Sequence, residues 1–233
     1  VALKSPEQPE EQMDVLTLAR LYNDSGVDKI ICFDLSNDDE EHEQNILAIR
    51  QINRNIEIKT CGGGNIKRLE DVKKLLYAGC VEVVLNGSKP ETGELLQEAS
   101  KRFGPEKMLV SLSTMDFLFK TRDFLKENVH ELVILNPDML PGLENETDIP
   151  YIAQVDTYDY IRVCELLQSS QIRGISGAFI NDPDTDIMQI KGALADAGIK
   201  MDKFAPALSS SDLQPNEPGL LPFPAQDDRP NPV

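Results

Sequence analysis

The stretch "IKTCGGGNIKRLEDVKKLLYAGC", residues 58–80, joins an apolar run, three glycines and a helical pattern end to end. Ile56, Ile58 and Thr60 alternate as in a strand. Leu69, Val72, Leu75 and Leu76 recur at helical spacing. The glycines are therefore expected to fill a strand-to-helix turn. Glycine lets backbone N–H groups come close to an anion, and a helix N-terminus behind them favours negative charge. A phosphate cradle is the functional reading. A tight turn that needs positive φ and binds nothing explains the glycines equally well. No Lys-Ser/Thr closes a G-x-x-x-x-G frame, so the stretch is not a P-loop, nor is it a good dinucleotide fingerprint.

The same unit recurs along the chain. Met13, Leu16, Leu18, Ala19 and Leu21 mark a first helix that ends at Gly26. The strands that follow are "DKIICFDLS", "IEIKT", "VEVVLN", "KMLVSLS", "HELVILN", "IPYIAQV" and "IRGISGAFI". Helical patterns separate them, except that the proline-rich "PDMLPGLENETD" stands where a full helix is expected. Strand and helix alternate with a period of about thirty residues, the signature of a parallel α/β fold. An eight-stranded barrel needs one more strand before the first helix, and "VALK" is too short to supply it. Either the first strand has been cut off or the sheet is open.

The 233 residues include 40 acidic and 23 basic side chains, for a net charge of −17. That balance argues against nucleic-acid and membrane-surface partners, because their phosphates would be repelled. A phosphate ligand then requires a local site. Cys32, Cys61, Cys80 and Cys164 form no C-x-x-C pair and read as small buried residues of a reducing, cytoplasmic protein. His42 and His130 have no metal-ligand spacing, and neither a metal nor a cofactor is expected. No apolar run approaches the ~20 residues that span a bilayer. From about Lys203 the composition turns to Pro, Ser and Asp, as in a linker.

Three segments in order, "LARLYNDSGVDKIICFDLS", "GGGNIKRLEDVKKLLYAGC" and "VEVVLNGSKPETGELLQEASKRFG", resemble the histidine-biosynthesis barrel family. That family contains the ribotide isomerase and the imidazole glycerol phosphate synthase cyclase subunit (the HisA/HisF-like barrels). The resemblance is dense from Met13 to Val110 and is carried by spacing from His130 to Met201. It implies a (βα)8 TIM-barrel-like fold lacking strand one, over residues 1–202. Each half-barrel of the family supplies a phosphate site at the C-terminal ends of its strands. Gly63 and Gly64 correspond to the first part of one such site, and Asn86, Gly87 and Ser88 to its second part. Asn65, inserted after the glycines, shifts the usual spacing by one.

The family's chemistry uses two aspartates across the barrel mouth, a pairing that suits acid and base roles at separated pKa values. One ends strand one. The other ends strand five, where this chain reads "MLVSLST" and Ser113 takes its place. A serine hydroxyl without a paired base cannot replace it at neutral pH. Asp116, three residues on, is a weak candidate substitute whose structural role is a helix N-cap. Asp34 ends the second strand, a supporting position in the family; a strand-end carboxylate bonded to a loop amide is the alternative.

The second half looks degraded. "QVDTYD" puts Asp156 where a glycine-rich phosphate turn is expected, and Ser176 and Gly177 in "SGAF" are the weak remainder of the last phosphate turn. The tail "NEPGLLPFPAQDDRPNPV" resembles the opening of a phosphoribosyl-AMP cyclohydrolase domain, as in histidine-pathway fusions, so residues 203–233 read as a linker and the start of that domain. The resemblance therefore implies a catalytically inactive barrel domain, a scaffold or phosphoribosyl-ligand-binding module. Its expected partners are a phosphorylated ribotide and fused or associated histidine-pathway domains. The alternative is an active phosphoribosyl isomerase or cyclase subunit.

Overall fold

The computed structural model describes residues 2–3, 12–155, 157–177, 179 and 185–201. A short antiparallel pair, β1 (Ala2–Leu3) and β2 (Gln12–Met13), precedes helix α1 (Val15–Asp24). Then come β3 (Lys29–Asp34), α2 (Asp39–Asn55), β4 (Lys59–Gly64), α3 (Leu69–Tyr77), β5 (Glu82–Asn86), α4 (Thr92–Phe103), β6 (Met108–Leu112) and α5 (Asp116–Asn128). After β7 (Glu131–Ile134), two single 3-10 turns, Pro137–Met139 and Leu143–Asn145, replace a helix. The described residues finish with β8 (Tyr151–Gln154), α6 (Tyr160–Leu167), β9 (Ile172–Ser176) and α7 (Ile187–Asp196). The linker and cyclohydrolase readings of residues 203–233, and the Asp156 reading, fall outside the described residues.

Strands β3 to β9 lie side by side in chain order, all parallel. Strands β5 to β8 are covered on both faces, which is why they read as continuous apolar runs. Val83, Leu85, Val110, Leu112, Leu132 and Ile134 pack outward with the helix residues Leu75, Leu96, Leu118 and Leu125. Alternate positions, Cys61, Val84, Leu109, Val133 and Ile152, form a second cluster on the other face, as the two-residue period of a strand requires. Each fully buried leucine contributes about 2 kcal/mol.

Among the described residues no strand pairs with the outer edge of β3, and Ala2 and Leu3 of "VALK" form β1. Yet the helical layer comes round. Lys191 on α7 bonds Asp28, at the entry to β3, at 2.5 Å. A Cβ on Gly26 would lie 2.5 Å from Met188 Sδ, so α7 packs closely on the loop before β3. The described residues form a TIM-barrel-like curl of seven parallel strands, one fewer than a closed eight-stranded barrel.

The structure corrects the reading of the glycine stretch. Ile56 and Ile58 precede β4, and Gly62, Gly63 and Gly64 are its last three residues, paired with Cys32, Phe33 and Asp34. The strand needs glycine for packing. A Cβ on Gly62 would lie 2.6 Å from Leu75 Cδ2, and one on Gly63 would sit 3.1 Å from both Phe33 and Val84. Gly64 has φ +100°, and its Cβ would fall 2.1 Å from the Asp34 carbonyl oxygen.

Candidate functional site

The C-terminal ends of neighbouring strands bring several expected residues together. Asn86 ends β5 and Ser113 follows β6. The Ser88 and Ser113 hydroxyls lie 3.0 Å apart. Beside them is a cavity of about 490 Å3, lined by Ser113, Thr114, Phe119, Asn136, Asp138 and Glu146 among others. Glu146 is paired with Arg122 at 2.5 Å. Among the described residues, no carboxylate lies within hydrogen-bond distance of the Ser113 hydroxyl. Asp116 is exposed at the first position of α5, and Met115 occupies the cap. The N-cap role expected for Asp116 is therefore corrected: its charge instead meets the positive end of the helix.

The backbone donors of the expected phosphate cradle already have acceptors within the protein. Gly87 N donates to Ser111 O at 2.9 Å and Lys89 N to Asn86 O at 3.1 Å. Ser88 N donates to the Asn86 side chain at 2.8 Å. On the β4–α3 turn, Asn65 N donates to Asp34 O, while Lys67 N and Arg68 N both donate to Asp71 Oδ2 at 3.0 Å. Asp71 thus supplies an internal anion at the N-terminus of α3. Exposed Lys67 and Arg68 side chains give this rim positive charge. In the second half, the Ser176 carbonyl accepts from Val155 N, and a Cβ on Gly177 would lie 2.2 Å from Val155 O. Packing explains that glycine.

Asp34 is buried on the helix-facing side of β3 and is not brought to Ser113. Its carboxylate accepts from Ser36 N and Ser36 Oγ at 3.0 Å, Asn45 Nδ2 at 2.6 Å and His42 Nδ1 at 2.5 Å. The loop-amide alternative is therefore part of its role. His42 and Asp71 are the residues that sequence reasoning missed. They lie on different helices, and no spacing rule links them.

At the opposite end of the strands, Lys29 Nζ lies 2.7 Å from Glu82 and 3.6 Å from Glu131. The Cys61 thiol donates to Glu82 at 2.9 Å. Burial pushes Glu131 above the usual carboxylate range, with the nearby Glu82 charge adding to it and Lys29 only partly offsetting both. Burial works against the charge on Lys29 too, but its carboxylate partners outweigh it and raise the amine. Burial also pushes the Cys61 thiol up, so it is an inert group. Among the described residues no cluster could hold a metal ion, and no helix is long and apolar enough to cross a membrane.

A curl of seven parallel strands with helices packed outside it defines a TIM-barrel-like α/β protein. A family model described as histidine biosynthesis protein matches residues 4–140. The chain belongs to that family. It is 24% identical over 220 residues to imidazole glycerol phosphate synthase subunit HisF of Wolinella succinogenes, covering 81% of this chain and 87% of the relative. The HisF subunit of Staphylococcus epidermidis is also 24% identical, over 216 residues, covering 78% of this chain and 85% of the relative. That of Helicobacter hepaticus reaches 33% over 99 residues, 42% of this chain and 39% of the relative. This is a histidine-biosynthesis barrel domain related to HisF.

Proposed function

We propose that the chain is a non-catalytic barrel domain serving as a scaffold for fused or associated histidine-pathway domains. The observation that carries this reading is the pairing of Ser113 with Ser88, with no carboxylate in reach, where acid–base chemistry needs a titrating group. The occupied amides of both strand-end turns point the same way. Association is in keeping with relatives that are named as subunits of a synthase. The purified protein is expected to give no isomerase or cyclase turnover. Turnover that Asp116→Asn abolishes would overturn the reading and install Asp116 as the substitute acid.

A second reading has its own support: the Ser88–Ser113 hydroxyl pair sits on adjacent strand ends near the Gly64–Arg68 turn, whose side chains include two cations. In this reading the mouth holds one phosphorylated ribotide. Calorimetry with ribose 5-phosphate tests it. Measurable heat that Lys67→Ser, a change at an exposed side chain of that turn, diminishes supports binding there, and no heat removes it.

A further inference from the structure

Asp34, His42 and Asp71 come from three separate elements, the end of β3, α2 and α3. Their side chains are 2%, 5% and 3% exposed. His42 Nδ1 lies 2.5 Å from Asp34 Oδ2, and His42 Nε2 lies 3.6 Å from Asp71 Oδ1. That Nε2 is buried and has no hydrogen-bond partner among the described residues. A buried imidazole nitrogen left unpaired is costly, and this one faces a carboxylate.

The surrounding chemistry fixes the proton on the other nitrogen. Burial opposes the charge on Asp34, but donors from Asn45, His42 and Ser36 outweigh it and lower its pKa. An ionised carboxylate only accepts, so Nδ1 carries a hydrogen. Nε2 then has two states. As a bare lone pair it repels Asp71. As an N–H it places a cation between two carboxylates. Among the described residues, further charges close to this group include Arg68, 3.4 Å from Asp71 Oδ1, and Glu43 on α2, which interacts with His42 and Asp71 and is paired with Lys74 on α3.

Asp71's other oxygen is the acceptor for Lys67 N and Arg68 N. We propose that Asp34, His42 and Asp71 form a proton-operated latch, in which His42 is the positioning residue that holds the Asp71 carboxylate over the Lys67 and Arg68 N–H groups. With Nε2 protonated, the end of β3 and the N-terminus of α3 are tied through one cation. When that proton leaves to solvent, two carboxylates face one another across a neutral ring. Asp71 is then released, and the two amides are open to an external anion. This last consequence rests on the ribotide-binding reading; the latch itself does not.

The test is an NMR titration of the wild-type protein, following the His42 Cε1 proton and the Lys67 and Arg68 amides. The amides are expected to move with the midpoint of His42. Amides that stay still while His42 titrates would overturn the latch. His42→Gln keeps a donor toward Asp34 and cannot become a cation, and in it the amide titration should vanish; if this variant does not fold, the wild-type titration still decides. Sulfate, whose charge is constant over this range, should perturb the two amides roughly threefold or more tightly above the His42 midpoint than below it. Tighter binding below the midpoint would also overturn the latch. If the amides follow His42 but sulfate binds at no pH, the latch stands and the ribotide reading falls.

Discussion

Gly64 has less freedom than its residue type suggests. Its positive φ and the Asp34 carbonyl behind it exclude any side chain. Gly64→Ala is expected to destabilise the protein by about 2–3 kcal/mol, read as a lower urea midpoint. Gly192, inside α7, is the converse: an added Cβ meets nothing within 4 Å. Gly192→Ala should stabilise by about 1 kcal/mol through helix propensity. Glu131 is the residue where pH matters most clearly. Its folded pKa is raised, so its favourable contribution is complete below the unfolded glutamate value of 4.5 and is lost as pH rises through the folded value. Glu131→Gln should therefore raise stability by about 1 kcal/mol at neutral pH. The gain should disappear in acid, as thermal melts across pH would reveal.

At the scale of the element, the sequence made the alternation of strands and helices legible because the central strands, β5 to β8, are apolar on both faces. It misplaced the start and end of β4. Glycines have no side chain to continue an alternating pattern, so the period seemed to stop at Thr60 while the backbone ladder with β3 ran on to Gly64. For the candidate site, the sequence could group only residues adjacent in the chain, such as Asn86, Gly87 and Ser88, whose phosphate-binding role remains a proposal. The contact of Ser88 with Ser113 and that of His42 with Asp71 depend on how separate elements are laid together, and periodicity carries no such information. The α3 N-terminus shows what this costs to miss. Asp71 accepts from the Lys67 and Arg68 backbone N–H groups, and its other oxygen lies 3.4 Å from the Arg68 guanidinium. Asp71→Ala should cost at least about 1–2 kcal/mol, measured by denaturant unfolding.

The whole molecule carries a net charge of −17. Self-repulsion of that size is screened by salt over about 10 Å at 0.1 M. Added sodium chloride is therefore expected to raise the melting temperature, and a fall would indicate that the Lys29 and Lys191 ion pairs dominate instead. The strand order has a further consequence, for assembly in time. Each strand pairs with the one synthesised just before it, so every ladder can form as soon as the chain reaches its second member. The Lys191–Asp28 bond, by contrast, joins residues 163 apart. A nascent chain of this design can roll up like a scroll from its first strand, and that bond is the seam sealed last.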